Sequence, residues 1–564
     1  MVRKTFTILL REIRDLHEAA YVLAFFALGS QLLALARDRL LAHTFGAGTE
    51  LDVYYAAFRV PDLLFSLFAA MLSVYVLVPF VADRMLESAA RARAVLSAAF
   101  TWFLFGFGAS ALVVFVFARP LAEFFFPGFG VLERELLVPL MRILLAQALL
   151  LSISSLFGVA VQLHRKFILY AVSPLLYNLG IIFGIVALYP LWGLAGLALG
   201  AGLGALAHLA VQAPFVFHSG LLPRVTLRIE KGLLRAILRV SLPRTLALSL
   251  QSGVLLVFSA IASVMTAGSL SVLQFAYNVQ SVPLAVIGVS YSVAAFPTLS
   301  RLYSRGNRSA FLAQVSAALR HLLFWAVPAA GLCIVLRAQI VRVALGSGLF
   351  DWNDTRLVAA ALALFVVSLA GQAIHLLVVR AFYAAGETRA PLVVTLCASL
   401  GAVGAAVALY RWYERSPLFA GWLGALLRVA DIPGAELLTL PLGFSLASII
   451  SSVVLVALFA RAYRMPCAPL FAASARALAA AFVAAASAYA AQNALVSGFR
   501  TETLAGIFLQ GLLSGIAGIA AGWVLLASAQ SRELAEIRAA LSANWRSRFI
   551  SARPIAPEAQ DEPS

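Results

Sequence analysis

The sequence predicts an all-α polytopic membrane protein of about 14 transmembrane helices, as two six-helix lobes plus two C-terminal helices. Three observations carry this. Of the 564 residues, 62% are hydrophobic and 12% charged, about half the charged share of a soluble domain. The apolar residues form unbroken runs of 20 or more, each long enough to cross about 30 Å of hydrocarbon as a helix. The formal charge of +17 sits largely in short loops on alternate sides of those runs, a topology signal and not a nucleic-acid footprint. Continuous runs also argue against a membrane β-barrel, whose strands alternate.

Residues 1–20 mix Arg, Lys, Glu and Asp with Phe, Ile and Leu at helical spacing, which suits a segment lying on the membrane surface. The first spanning run follows directly and serves as an uncleaved anchor. Spans are expected at 21–44, 51–80, 94–118, 135–161, 168–189 and 191–217, giving an N-lobe over 21–218. A basic linker covers 219–240. Six further spans, at 236–262, 271–299, 311–336, 357–383, 390–410 and 437–460, give a C-lobe over 241–465. Spans at 470–494 and 503–527 form a trailing pair within 466–528. The tail, 529–564, begins as an amphipathic helix and ends in "ARPIAPEAQDEPS", which is expected to be disordered.

An even number of spans puts both termini on one side. Loops on that side carry Arg84, Arg91, Arg165, Lys166, Arg301 and Arg461, while the opposite loops carry Glu123, Glu133, Asp351, Asp354, Glu414 and Asp431. Both termini are therefore expected in the cytoplasm, with the chain in a cytoplasmic membrane. The halves also resemble each other. Val60-Pro61, an apolar run, Pro79 and Arg84 are echoed by Val282-Pro283, an apolar run, Pro297 and Arg301. Six spans separate these points, so the lobes share an orientation about an axis along the membrane normal.

No Walker A loop, HExxH or GxSxG is present, and the seven His are scattered. Cys333, Cys397 and Cys467 are far apart and read as small buried hydrophobes. No enzyme, metal site or cofactor is therefore expected. Without a nucleotide site, transport would draw on a coupling ion, the membrane potential or the substrate's own gradient.

Charges inside spans point to the working surface. In "ARDRLLAHTFGAGTELDVYYAAFRVPDLL" (36–64), Arg37, Asp38 and Arg39 precede a Gly-rich turn, and Asp52, Arg59 and Asp62 follow it. Arg59 lies well inside a span, where an Arg costs about 2.5–3.5 kcal/mol on insertion scales, so a lipid-facing position is disfavoured. Asp52 fits a cap at its own helix start, Asp62 fits an i,i+3 partner for Arg59, and Arg39 fits snorkelling to headgroups. Gln31 and Asp38 share a face of span one, Arg244 and Gln251 a face of span seven. Gln274, Asn278 and Ser281 form a third polar stripe beside a kink at Pro283. Such stripes serve helix–helix hydrogen bonds or line an aqueous cavity, and three together favour a shared central cavity.

The same stretch resembles the R-D…FGAG…D…AF-x-x-P…L signature of the MurJ (MviN) lipid II flippases, of the multidrug/oligosaccharidyl-lipid/polysaccharide exporter superfamily. "VPLAVIGVSYSVAAFPTLSRL" (282–302), "LRAQIVRVALGSGLFDWNDT" (336–355) and "RAFYAAGETRAPL" (380–392) agree with it. The resemblance implies fourteen helices in two lobes and transport of an undecaprenyl-diphosphate-linked disaccharide-pentapeptide, lipid II, for peptidoglycan synthesis. It makes Arg37 a cationic contact for the diphosphate and places Asp38, Asp52 and Arg59 on matching positions. The chain departs from the pattern where Gln31 and Asn278 replace cavity arginines, and where Phe65-Ser66 and Ala69-Ala70-Met71 replace a basic and an acidic-Gly element. Arg244 is the candidate substitute cation. Export of another lipid-linked glycan or amphiphile, and a non-transporting scaffold for envelope assembly, stay open as alternatives.

Overall fold

Long apolar helices hold the chain because, in hydrocarbon, every backbone N–H and C=O must be satisfied within its own segment. The computed structural model describes residues 12, 16–69, 74–226, 231–495 and 503–538, and contains no strand among them. Among the described residues, eleven helices are long and apolar enough to cross a membrane, or twelve if the bent pair Trp352–Val367 and Leu369–Ala384 is one span. The expected fourteen also included the first two spans. These correspond to α1 (Leu16–Phe45), and to α2 (Thr49–Ala69) with the helix Val74–Glu87. Both carry the interior charges, and both border residues outside the described set, as does the expected surface segment 1–20.

Three apolar cores organise the bundle. One joins Leu41, Tyr54 and Leu144 of the N-lobe to Phe258, Phe275 and Phe365 of the C-lobe. The second is built around Leu77, Phe103 and Phe157 of the N-lobe, and the third around Leu299, Phe311 and Phe459 of the C-lobe. The residues of the shared core cluster toward the Gly46–Gly48 turn. Those of the separate cores cluster toward the linker. The lobes are thus fused at the turn end and distinct at the linker end.

Residues 221–226 of the linker are irregular and pinned to span three, Arg224 N donating to Ser97 Oγ and Thr226 N to Thr101 Oγ1, each at 3.0 Å. The following helix, α4 (Lys231–Ser263), starts inside the stretch expected as linker. The helix runs unbroken through Gly232 and Pro243 into span seven, extending the span back into the basic stretch. In the N-lobe, α3 (Phe167–Phe183) packs on the helix Leu194–His218 through glycines. A Cβ at Gly180 would stand 2.2 Å from Gly204 Cα, and one at Gly200 2.4 Å from Gly184 Cα, a small-residue seam of the kind that lets membrane helices approach closely.

The kink expected at Pro283 takes a specific form. Helix α5 (Ser269–Pro283) passes directly into a π-helical segment, Leu284–Val289. Pro283 lacks the N–H that an α-helix needs there, and the wider turn re-spaces the ladder. The trailing pair, α9 (Ala468–Ala494) and α10 (Leu504–Ser528), packs on α6 (Arg308–Val335) of the C-lobe. The tail continues as helix over 532–538, and its remainder lies outside the described residues.

Candidate functional site between the lobes

Adjacent residues on a helix diverge by about 100°, yet Arg37 folds back on Asp38. Its Nε and Nη2 donate to Asp38 Oδ1 at 2.9 and 2.7 Å. The remaining Nη1 donates to Asn178 Oδ1 of α3 at 3.1 Å, and Asn178 Nδ2 in turn reaches Ser30 Oγ and Pro174 O. The free oxygen of Asp38, Oδ2, accepts from Asn278 Nδ2 of α5 at 2.9 Å. Asn278 Oδ1 accepts from Gln274 Nε2, and Gln274 Oε1 accepts from Arg59 Nη2, both at 2.6 Å. Arg59 Nε then donates to Ser259 Oγ of α4 at 2.7 Å.

These bonds form one continuous chain, Asn178–Arg37–Asp38–Asn278–Gln274–Arg59–Ser259, that crosses between the lobes three times. Asp38 and Arg59 are buried, at 2% and 8% exposure. The Arg37 side chain keeps 20% exposure, so it is the cation through which a ligand could enter the chain. The polar stripe of span eight is therefore a bridge to the N-lobe rather than an open lining. Gln31 takes no part in the bonds, and Gln251 donates to Tyr277 OH at 3.2 Å. The Arg244 side chain lies outside the described residues.

A second set of cross-lobe bonds closes the turn end. Asp52 caps a helix, but not its own. Its carboxylate accepts from Gly268 N and Ser271 N, both at 2.7 Å, and from Ser271 Oγ at 2.5 Å, so it caps the start of α5 in the other lobe. Arg39 does not snorkel. Its guanidinium donates to Val343 O at 2.5 Å and Gly346 O at 3.3 Å, capping α7 (Arg337–Leu345) of the C-lobe, where a cation complements the helix dipole. Ala47 N donates to Asp354 Oδ2 at 3.1 Å, and Leu349 N to His43 O at 3.0 Å. The backbones meet so closely that a Cβ at Gly268, whose φ is +90°, would fall 2.1 Å from Ala47 O.

Arg59 and Asp62 interact as charges along their helix, as expected, but the hydrogen bonds of Arg59 go elsewhere. Arg59 spends its guanidinium on Gln274 and Ser259, which lie 215 and 200 residues away. Sequence reasoning missed Asn178 and Ser259. A lone Asn in an apolar run was a usable signal, whereas Ser259 is one of many small residues in its helix. Among the described residues, no group of His, Cys, Asp or Glu could hold a metal ion.

With this geometry in hand, the chain can be set beside known proteins. The family profile "Lipid II flippase MurJ" matches residues 41–513. A probable lipid II flippase MurJ of Rhizobium tropici is 29% identical over 420 residues, 71% of this chain and 77% of the relative. A lipid II flippase MurJ of Burkholderia cenocepacia is 26% identical over 402 residues, 68% and 76% of the two chains. Among solved structures, a lipid II flippase MurJ in an inward closed conformation aligns with a TM-score of 0.69 at 20% identity, covering 90% of this chain and 99% of its own. An inward-facing multidrug resistance MATE family transporter of the MOP superfamily aligns with a TM-score of 0.62 at 17% identity, covering 77% and 94%. The many apolar helices, the two fused lobes and the profile match across most of the sequence lead to one assignment: this chain is a multi-pass bacterial inner-membrane protein of the lipid II flippase MurJ family.

Proposed function

We propose that this protein carries lipid II from the cytoplasmic to the outer leaflet by alternating access, with both termini cytoplasmic. The observation that carries the reading is the buried cross-lobe chain. A prenyl tail, at about 0.8 kcal/mol per buried CH₂, stays in the bilayer, while a charged sugar-peptide head needs a polar path. Two lobes fused at the turn end and separate at the linker end supply one state of such a path.

Charge favours ligand exchange at the two arginines. Arg59, and Arg37 at its Nη1, donate to neutral amide or hydroxyl oxygens. A phosphate oxygen in the same place keeps the charge-assisted hydrogen bond and adds the attraction of a full negative charge, which an amide or hydroxyl lacks. Asn178 and Gln274 thus act as placeholders that a diphosphate displaces. Displacing Gln274 would also break the link through Asn278 to Asp38, coupling substrate entry to separation of the lobes.

The test is rescue of a bacterium depleted of its own lipid II flippase. Expression of this chain should restore growth. Asn278→Arg should rescue at least as well as the parent, because an Arg there keeps a bond to Asp38 and adds a cation; loss of rescue with normal membrane insertion would count against the exchange mechanism. Orientation is tested separately, by labelling a single engineered cysteine at Arg224, which should react only from the cytoplasm. The scaffold reading draws on the amides at Gln274 and Asn278, which satisfy Arg59 and Asp38 without a ligand. It predicts that envelope assembly needs the protein's presence but not its arginines.

A further inference from the structure

We propose that a cavity on the outer flank of the C-lobe, between α6 and α9, binds the phosphate-bearing headgroup of an anionic phospholipid. It lies at the linker end, is separate from the cross-lobe chain, and does not depend on the translocation reading. Its volume is about 700 Å³, and Ser309, Ser316 and Arg320 of α6, Arg476 of α9 and Arg532 of the tail helix line it.

The polar groups around this cavity exceed their partners. Glu533, 2% exposed, takes Arg320 Nη1 at 3.0 Å and Arg476 Nη2 at 3.5 Å. Glu536 takes Arg320 Nη2 at 3.4 Å and His321 at 2.7 Å. Three guanidiniums thus face two carboxylates, and a net positive charge remains. Among the described residues, the buried Nε of Arg476 has no partner. Among the described residues, the Arg532 guanidinium and the hydroxyls of Ser309 and Ser316 make no side-chain hydrogen bond. A tetrahedral phosphate is the ligand whose acceptors match forked cationic donors flanked by hydroxyls.

The position selects a lipid as the source. The cavity opens where α6 and α9 begin, at the basic end of the spans, and basic pockets between membrane helices suit anionic headgroups. On α9, about 130° around the helix from the cavity-lining Pro469, Ala472 and Arg476, Phe471, Leu478 and Phe482 are 74%, 62% and 76% exposed. They share one helix face, a strip that acyl chains can cover once they turn around α9 from a headgroup held by Arg476 and Arg532. Free phosphate would satisfy the same donors but has no use for the strip.

Thermal unfolding of the full-length protein in detergent, with phosphatidylglycerol, phosphatidylcholine or inorganic phosphate added, separates these outcomes. Phosphatidylglycerol should raise Tm with a saturable dependence, and the other two should not at equal concentration. R532Q should weaken the apparent affinity for phosphatidylglycerol about tenfold, the equivalent of one charge-assisted contact. It removes no side-chain hydrogen bond among the described residues, so it should unfold like the parent when lipid is absent. R476Q, which also loosens Glu533, should weaken the response further. An R532Q response equal to the parent's would overturn the site, and so would no response of the parent. Inorganic phosphate matching the lipid would overturn the lipid assignment.

Discussion

Arg37→Ala is expected to cut lipid II translocation at least tenfold and to abolish rescue, while the protein still inserts into the membrane. The side chain holds three bonds, two to Asp38 and one to Asn178, and is the exposed cation of the chain. Losing one charge-assisted contact to a diphosphate costs about 1.5–3 kcal/mol, or roughly 10- to 150-fold. Arg37→Lys should keep part of the activity, because charge survives but the forked geometry does not. The substitution to Ala also strands a carboxylate at 2% exposure, so part of its effect could be on stability. Arg37→Ala combined with Asp38→Asn removes that stranded charge. The pair should recover thermal stability without recovering transport. Transport restored along with stability would make Arg37 a structural residue only.

Asp52→Ala should open the turn end. Its carboxylate takes three donors at the start of α5, and an N-cap is worth about 0.5–2 kcal/mol. This cap joins two lobes, so its loss penalises only the conformation in which the turn end is closed. A change of one to two kcal/mol shifts a two-state population about 5- to 30-fold. Spin labels at the exposed Glu50 and Asn353, in a chain whose cysteines have been replaced, report the distance. The parent should give one short population and Asp52→Ala a second, longer one. An unchanged distance distribution would remove Asp52 from the closure.

Sequence reading reached the all-helical class and most spans because each follows from local hydropathy. It also named interior polar residues that the fold brings together between the lobes, yet it gave some of them other partners. Asp52 reads as a cap of its own helix and Arg39 as snorkelling to lipid, and both act on the opposite lobe; Arg59, expected between the lobes, bonds Gln274 and Ser259 there. Helical periodicity reports which residues share a face, not what that face meets 200 residues later. The amides show the same limit. Asn278 read as a lost cation, whereas in the fold it is the donor that ties Asp38 to α5.

Purified protein in liposomes carrying a fluorescent lipid II in one leaflet tests the central claim most directly. The account predicts that the parent chain brings the labelled head to the opposite leaflet, where an added reagent can reach it, far faster than protein-free liposomes do. It predicts that Arg37→Ala with Asp38→Asn, folded and reconstituted to the same density, does so at least tenfold more slowly. Equal rates for parent and double variant, or a parent no faster than bare lipid, would contradict it.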